Sequence, residues 1–101
     1  MKATRISISV EKKFKEIEQF ILDNYKSEFT AINKLIELRT FVKSIGQIGL
    51  NTRCRYNDYG WYEKGYSCIP YKGWIFAYNA SSTIVVIRGL EHSKNLKDVV
   101  Y

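Results

Sequence analysis

The stretch that decides the fold is Thr83–Asp98, which reads TIVVIRGLEHSKNLKD. It begins with four consecutive β-branched residues, Ile84–Ile87, a pattern typical of a strand buried on both faces. Polar side chains follow at once, among them Arg88 and His92, the only histidine of the chain. If the strand continues, its alternation places Arg88 and His92 on the same side, about 13 Å apart. Gly89 allows a bend that would bring them closer.

Two further strands are predicted immediately before this one. Tyr66–Tyr71 and Trp74–Asn79 are rich in aromatic and β-branched residues, and Lys72-Gly73 between them predicts a two-residue turn. Pro70 lacks the amide hydrogen that a ladder needs, so the first of the two strands is expected at a sheet edge. The C-terminal part of the chain therefore predicts an antiparallel meander of three strands.

The N-terminal part predicts one strand and two helices. Arg5–Val10 alternates apolar and polar residues, as a half-buried strand does, and Ser9 is a candidate cap for the next helix. Helices are predicted over Glu11 to about Lys26 and, after a Ser27 cap, over Glu28–Ser44. Their inward residues are expected to be Phe14, Ile17, Ile21 and Tyr25, then Phe29, Ile32, Leu35, Ile36, Val42 and Ile45. The predicted fold is a single α+β domain over 1–101, ordered β-α-α-β-β-β, with a helical hairpin on one face of a small, mainly antiparallel sheet.

The composition of the chain indicates which classes of partner to expect. Apolar residues make up 46% of the chain, which is enough for a core, and the net charge of +6 favours an anionic partner: nucleic acid, an acidic protein or a membrane surface. A charge that serves only solubility would also explain this excess. No apolar run approaches the ~20 residues that a membrane-spanning helix needs, and Met1–Thr4 lacks the apolar segment of a signal peptide. We therefore expect a cytoplasmic protein without a membrane partner.

The two cysteines, Cys54 and Cys68, lack the spacing of a zinc site. In a reducing cytoplasm we expect two free, buried thiols, with a disulfide between them as the open alternative. No metal site and no cofactor are predicted.

Between Gly46 and Gly65, cations alternate with aromatic rings around a turn predicted at Asn57–Gly60. Rings stack on bases and cations neutralise phosphates, so this mixture suits single-stranded nucleic acid. The alternative is that several of these rings cover the open face of the sheet or seat a protein partner. The candidate phosphate-binding residues are Arg53, Arg55, Lys64 and, beyond the last strand, Lys94; the candidate stacking residues are Tyr59, Trp61 and Tyr62.

The runs Arg88–Leu96 and Gly73–Asn79 resemble the last two strands and the C-terminal motif of the RelE/ParE superfamily of toxin–antitoxin toxins. The resemblance implies a small sheet with a helical hairpin on one face, in agreement with the predicted element order. It also implies an acidic antitoxin, partly disordered until bound, that wraps the toxin. The RelE-like branch cuts mRNA on the ribosome without a metal, whereas the ParE-like branch inhibits DNA gyrase.

For the nuclease branch, the resemblance implies that the 2′-hydroxyl of the substrate attacks the adjacent phosphate. His92 is then the candidate for proton transfer and Arg88 the candidate for stabilising the phosphate charge. A histidine four residues after the arginine, followed by Ser93, favours this branch. The alternative functions are a gyrase inhibitor and a toxin that has lost activity. The alternative roles of the two residues are structural: His92 caps the chain after the strand, and Arg88 forms an ion pair with Glu91 or Asp98.

Overall fold

The computed structural model describes residues 3–24, 27–47 and 52–101. The elements follow one another as β1 (Ala3–Ile6), α1 (Ile8–Asn24), α2 (Glu28–Ser44), β2 (Ser67–Tyr71), β3 (Trp74–Ala80) and β4 (Ile84–His92). Short 3-10 turns follow α2 at Ile45–Gln47 and β4 at Ser93–Asn95. This order confirms the predicted α+β fold.

The four strands form a mixed sheet in the order β1-β4-β3-β2, in which only β1 and β4 run parallel. β4 is central, as its β-branched run predicts, and β2 with Pro70 lies at an edge, also as predicted. β1 pairs with Ile84–Ile87 alone. From Arg88 onward, β4 therefore has a paired strand on its β3 side only, and the chain entering α1 crosses there, with the Ser7 amide donating to the Ile87 carbonyl.

The helices pack on one face of the sheet and form the helix-side core with it. The α1 residues of this core are Val10, Phe14, Ile17 and Ile21. The last three of them were predicted to point inward, and the fourth predicted residue, Tyr25, lies outside the described residues. From the sheet, the core takes Ile69, Phe76, Tyr78, Val85, Ile87 and Leu90. The hairpin is also held by Arg39, which bonds Glu18 and Glu11 and lies 4.8 Å above the Phe14 ring.

The first strand is shorter than predicted because the helix cap lies at Ser7 instead of Ser9. The Ser7 hydroxyl accepts a hydrogen bond from the Val10 amide at 3.3 Å, and α1 then begins at Ile8. Residues 8–10 thus belong to the helix, although their alternation reads as strand. Ser27 caps α2 as predicted, by accepting a bond from the Thr30 amide.

The inward face of α2 was predicted correctly for Leu35, Val42 and Ile45, which lie in the helix-side core or pack against it, and wrongly for the rest. Its buried residues are Ala31, Leu38 and Val42, whereas Phe29 and Ile36 are 76% and 58% exposed and Ile32 is exposed as well. Helix α2 carries two apolar stripes at helical spacing, and only one of them can face the sheet. The prediction that Val42 and Ile45 are buried is confirmed.

On the opposite face of the sheet lies a second core, the loop-side core, formed by Cys54, Trp61, Ile75, Ala77 and Leu96. Cys54 and Cys68 are joined by a disulfide with Cα atoms 4.7 Å apart, so the expectation of free thiols is wrong. Backbone pairing of Arg53 with Ser67 lays the segment alongside the start of β2, which brings the two sulfurs together. Disulfides persist mainly in oxidising compartments, so this bond does not support the expected reducing cytoplasm. The cytoplasmic location stays a prediction. None of the helices within the described ranges has the length and apolar character that crossing a bilayer requires.

Candidate nucleic-acid interface

A β-bulge in β4 decides where the two predicted catalytic residues lie. The register of β3 against β4 shifts at Arg88, which is left as an extra residue without a partner on β3. Ile87 and Leu90 both point into the helix-side core, although a regular strand would place them on opposite faces. Since one extra residue reverses the alternation, Arg88 and His92 lie on opposite faces of the sheet, and the prediction that they share a side is wrong.

Arg88 lines a cavity of about 330 Å³ at the open edge of β4, between the start of α1 and the segment 59–66, which we call the Arg88 pocket. Its exposed guanidinium donates a hydrogen bond from Nε to the Asn79 side-chain oxygen at 3.2 Å, and it forms no ion pair with Glu91 or Asp98 in the described structure. The charged and aromatic residues that line the pocket are Lys13, Tyr59, Trp61, Lys64, Tyr66, Arg88 and Glu91. Three cations thus face one carboxylate.

The rings of this pocket have different roles. Trp61 is only 4% exposed and packs directly on Gly89, where an added Cβ would come within 2.5 Å of the indole. Trp61 therefore offers little surface on which a base could stack, and its stacking role stays a prediction. Tyr59 is 52% exposed, and its ring is tilted against Trp61 with centroids 5.5 Å apart. Of these two rings, Tyr59 alone offers substantial free surface to a base.

His92 lines a larger cavity of about 540 Å³ between the helical hairpin and the end of the sheet, which we call the His92 cleft. The imidazole meets the Trp74 ring edge-on at 5.0 Å between centroids, and its Nε2 faces Gly73. Nδ1 accepts a hydrogen bond from the Lys94 amide at 3.2 Å and so caps the following 3-10 turn. A neutral ring held in this way carries its hydrogen on Nε2.

The His92 cleft contains four lysines and three carboxylates; they are Lys13, Lys34, Lys72 and Lys94, with Glu16, Glu37 and Glu91. Lys72 pairs with Glu37, which also accepts from the Tyr71 hydroxyl. These bonds, led by the one from Lys72, lower the pKa of Glu37. Within the described ranges, Lys34 and Lys94 form no ion pair, so their charges are available to an anion.

Glu91 forms the wall between the two cavities, and sequence reasoning missed this role. It is 5% exposed and accepts hydrogen bonds from Tyr59 at 2.8 Å, Lys13 at 3.3 Å and Asn95 at 3.1 Å. Burial alone would raise the pKa of Glu91, but these bonds and one from the His92 amide outweigh burial and lower it to about 2. The only signal for this role in the sequence was the position of Glu91 between the last apolar residue of the strand and His92.

The remaining predicted residues lie outside both cavities. The Arg53 guanidinium stacks on the Tyr62 ring at 4.3 Å and donates to the Tyr62 carbonyl at 2.8 Å. Arg55 is exposed, and its carbonyl accepts from the Val100 amide, which anchors the C-terminus. The predicted set therefore divides into Arg88, Lys64, Tyr59 and the buried Trp61 in one cavity, His92 and Lys94 in the other, and Arg53, Arg55 and Tyr62 elsewhere.

Comparison with known protein families, with curated proteins and with solved structures finds no match for this chain. No group of three or more histidine, cysteine, aspartate or glutamate side chains that could hold a metal occurs in the described part of the chain. A function for this chain therefore has to be inferred from the residues that line the two cavities.

Proposed function

We propose that this chain is a RelE/ParE-like toxin that binds single-stranded mRNA through the Arg88 pocket and cleaves it. The observation that carries this proposal is that Arg88, Lys64 and Tyr59, from two separate segments, line one cavity. These are the residue types that recognise a phosphate and an unstacked base. The C-terminal motif that resembles this superfamily and the predicted order of elements, which the fold has, also support it.

The pocket suits an unpaired nucleotide. Asn79 holds Nε of Arg88, which leaves the outer guanidinium nitrogens to bind two phosphate oxygens. Lys64 adds a second charge from across the pocket, with its ammonium 5.9 Å from the Tyr66 ring centroid. A base stacked on Tyr59 would contribute ~1–3 kcal/mol. Binding of this kind reads an accessible base and backbone, which a duplex conceals.

Cleavage would occur where the strand enters the His92 cleft. The 2′-oxygen forms a bond to phosphorus, the bond from phosphorus to the 5′-oxygen breaks, and the 2′-hydroxyl proton passes by way of solvent water to the leaving 5′-oxygen. Lys34 and Lys94 would stabilise the extra charge on the phosphate. His92 would first donate from Nε2 to a phosphate oxygen, and its Nδ1 exchanges a proton only when the bond from the Lys94 amide opens.

Induction in bacterial cells, followed by mapping of RNA 5′ ends, tests this function. We expect growth arrest with new transcript ends for the wild type, and loss of both for Arg88→Gln and for His92→Ala. Arg55→Gln is the matched control, since it removes an exposed arginine that lies outside both cavities. Intact transcripts in arrested cells would refute cleavage, and arrest by a folded Arg88→Gln variant would remove the Arg88 pocket from the function.

An antitoxin belongs to the same proposal. A chain with a net charge of +6 attracts an acidic segment, and a disordered segment that folds on binding can cover a large surface. Calorimetry against the product of a neighbouring acidic reading frame would show tight, salt-dependent binding. Absence of binding would count against this partner.

The second candidate is a ParE-like inhibitor of DNA gyrase, and the observation that favours it is the exposed stripe of Phe29, Ile32 and Ile36 on α2. Large apolar side chains in one exposed row are typical of protein-binding surfaces. This function predicts loss of plasmid supercoiling with intact mRNA, and it predicts that Ile36→Lys removes the effect. Arrest without a change in supercoiling would exclude it.

A further inference from the structure

We propose that one RNA strand occupies both cavities at once by passing around the open edge of β4, so that the substrate must be single-stranded and longer than a dinucleotide. This inference rests on the proposed function and specifies the substrate of the same site. The expectation was that Arg88 and His92 bind a single phosphodiester. In this proposal they instead make two contacts that are spaced along one RNA strand.

The first observation is that the two cavities share walls. Lys13 and Glu91 line both of them, although Arg88 and His92 lie on opposite faces of the sheet. Opposite faces can meet only where the sheet ends. Here they meet because β1 stops at its pairing with Ile87 and leaves the rest of β4 without a neighbouring strand on that side.

The second observation concerns the charge at this edge. Glu91 would repel a phosphate, but it is buried, and the ammonium group of Lys13 neutralises it at 3.3 Å. The Lys13 side chain is partly exposed at the same point. A passing strand therefore meets a neutralised Lys13–Glu91 pair at the edge, between the cations of the Arg88 pocket and Lys34 and Lys94 of the His92 cleft.

The third observation is the span. His92 lies four positions after Arg88, which corresponds to about 13 Å along a regular strand, and the bulge shortens this span. A strand of roughly four nucleotides, the lower end of site sizes for single-strand-binding folds, is expected to reach both cavities. A duplex does not bend around an edge of this size, because double helices are stiff over about 150 base pairs.

Fluorescence anisotropy with 2′-O-methyl oligouridylates of increasing length tests the path, since the methyl group prevents cleavage by 2′-hydroxyl attack. We expect affinity to rise in two steps as length increases. The second step should disappear in the double variant Lys34→Gln/Lys94→Gln, which should bind the shortest oligomers as tightly as the wild type does. Arg88→Gln should weaken binding at every length.

The salt dependence supplies a second readout. Each phosphate contact on a single strand contributes about 0.7 to the slope of log affinity against log salt, so the double variant should lose about 1.4 for long oligomers only. Lys12→Gln/Lys15→Gln is the matched control, because it removes two exposed lysines outside both cavities. This control should keep the second step.

The outcomes separate the path from the function. If Arg88→Gln weakens binding while the Lys34/Lys94 double variant behaves like the wild type at all lengths, RNA binding stands and the path is wrong. Equal affinity for a duplex and a single strand also overturns the path. If the wild type binds no oligomer of any length, the proposed function fails as well.

Discussion

At the scale of single residues, Glu91 makes the most connections in the site. Its carboxylate accepts hydrogen bonds from α1, from the loop after Asn57 and from the turn that follows β4, so it ties three segments to the end of the central strand. These bonds hold the pKa of Glu91 at about 2, against burial, which alone would raise it. A buried carboxylate of this kind links the stability of the fold to pH.

Glu91 predicts a loss of stability in acid. A pKa lowered from its ordinary value of 4.5 to about 2 adds stability that is complete above pH 4.5 and is lost as pH falls toward 2. At 1.36 kcal/mol per unit, the loss amounts to roughly 3 kcal/mol. Urea unfolding of the wild type at neutral pH and at pH near 3 should show most of this loss, and Glu91→Gln should show much less. Parallel pH profiles for the two proteins would contradict this role.

Gly89 is a second residue whose identity is required. A Cβ at this position would come within 2.5 Å of the Trp61 indole, a buried ring of the loop-side core. Gly89→Ala should therefore cost about 1–3 kcal/mol of unfolding free energy, the usual cost of overpacking. Thermal unfolding of Gly89→Ala and of Gly89→Ala/Trp61→Phe measures this, because the smaller ring should recover part of the loss. Full additivity of the two substitutions would argue against the contact.

At the scale of elements, the segment 52–66 is held on the sheet by the disulfide, and it supplies Tyr59, Trp61 and Lys64 to the Arg88 pocket. A closed loop of this size is worth about 3 kcal/mol in the chain-entropy model. Cys54→Ser/Cys68→Ser should lower the unfolding free energy by about this amount and should weaken RNA binding, because the pocket loses its fixed wall. Unchanged stability of the double variant under non-reducing conditions would show that the bond is absent in solution.

Much of the element order could be predicted from the sequence, and the differences have identifiable causes. Ser27 and the β-branched run Ile84–Ile87 are local signals, and both gave the correct element. The bulge at Arg88 has no local signal beyond the neighbouring Gly89, since it depends on the register against β3. The inward face of α2 was ambiguous because two apolar stripes compete, and only packing against the sheet decides between them.

At the scale of the whole molecule, candidate site residues could be predicted from the sequence but their arrangement could not. Arg88, Lys64 and Tyr59 were each predicted from charge, ring type or resemblance, and tertiary structure alone brings them into one cavity. Trp61 looked equivalent to Tyr59 in the sequence, yet it is buried because it is the ring that covers Gly89. The state of the two cysteines could not be decided from the sequence for the same reason, since the approach of Cys54 to Cys68 depends on the backbone pairing of Arg53 with Ser67.

The central claim is that single-stranded RNA binds through Arg88, and a salt titration of affinity tests it most directly. An oligonucleotide that cannot be cleaved is titrated with the wild type, Arg88→Gln and Arg55→Gln at several salt concentrations. We expect Arg88→Gln to bind more weakly and to lose about 0.7 from the slope of log affinity against log salt, which is one phosphate contact, while Arg55→Gln matches the wild type. Equal affinities and slopes for Arg88→Gln and the wild type would contradict the claim.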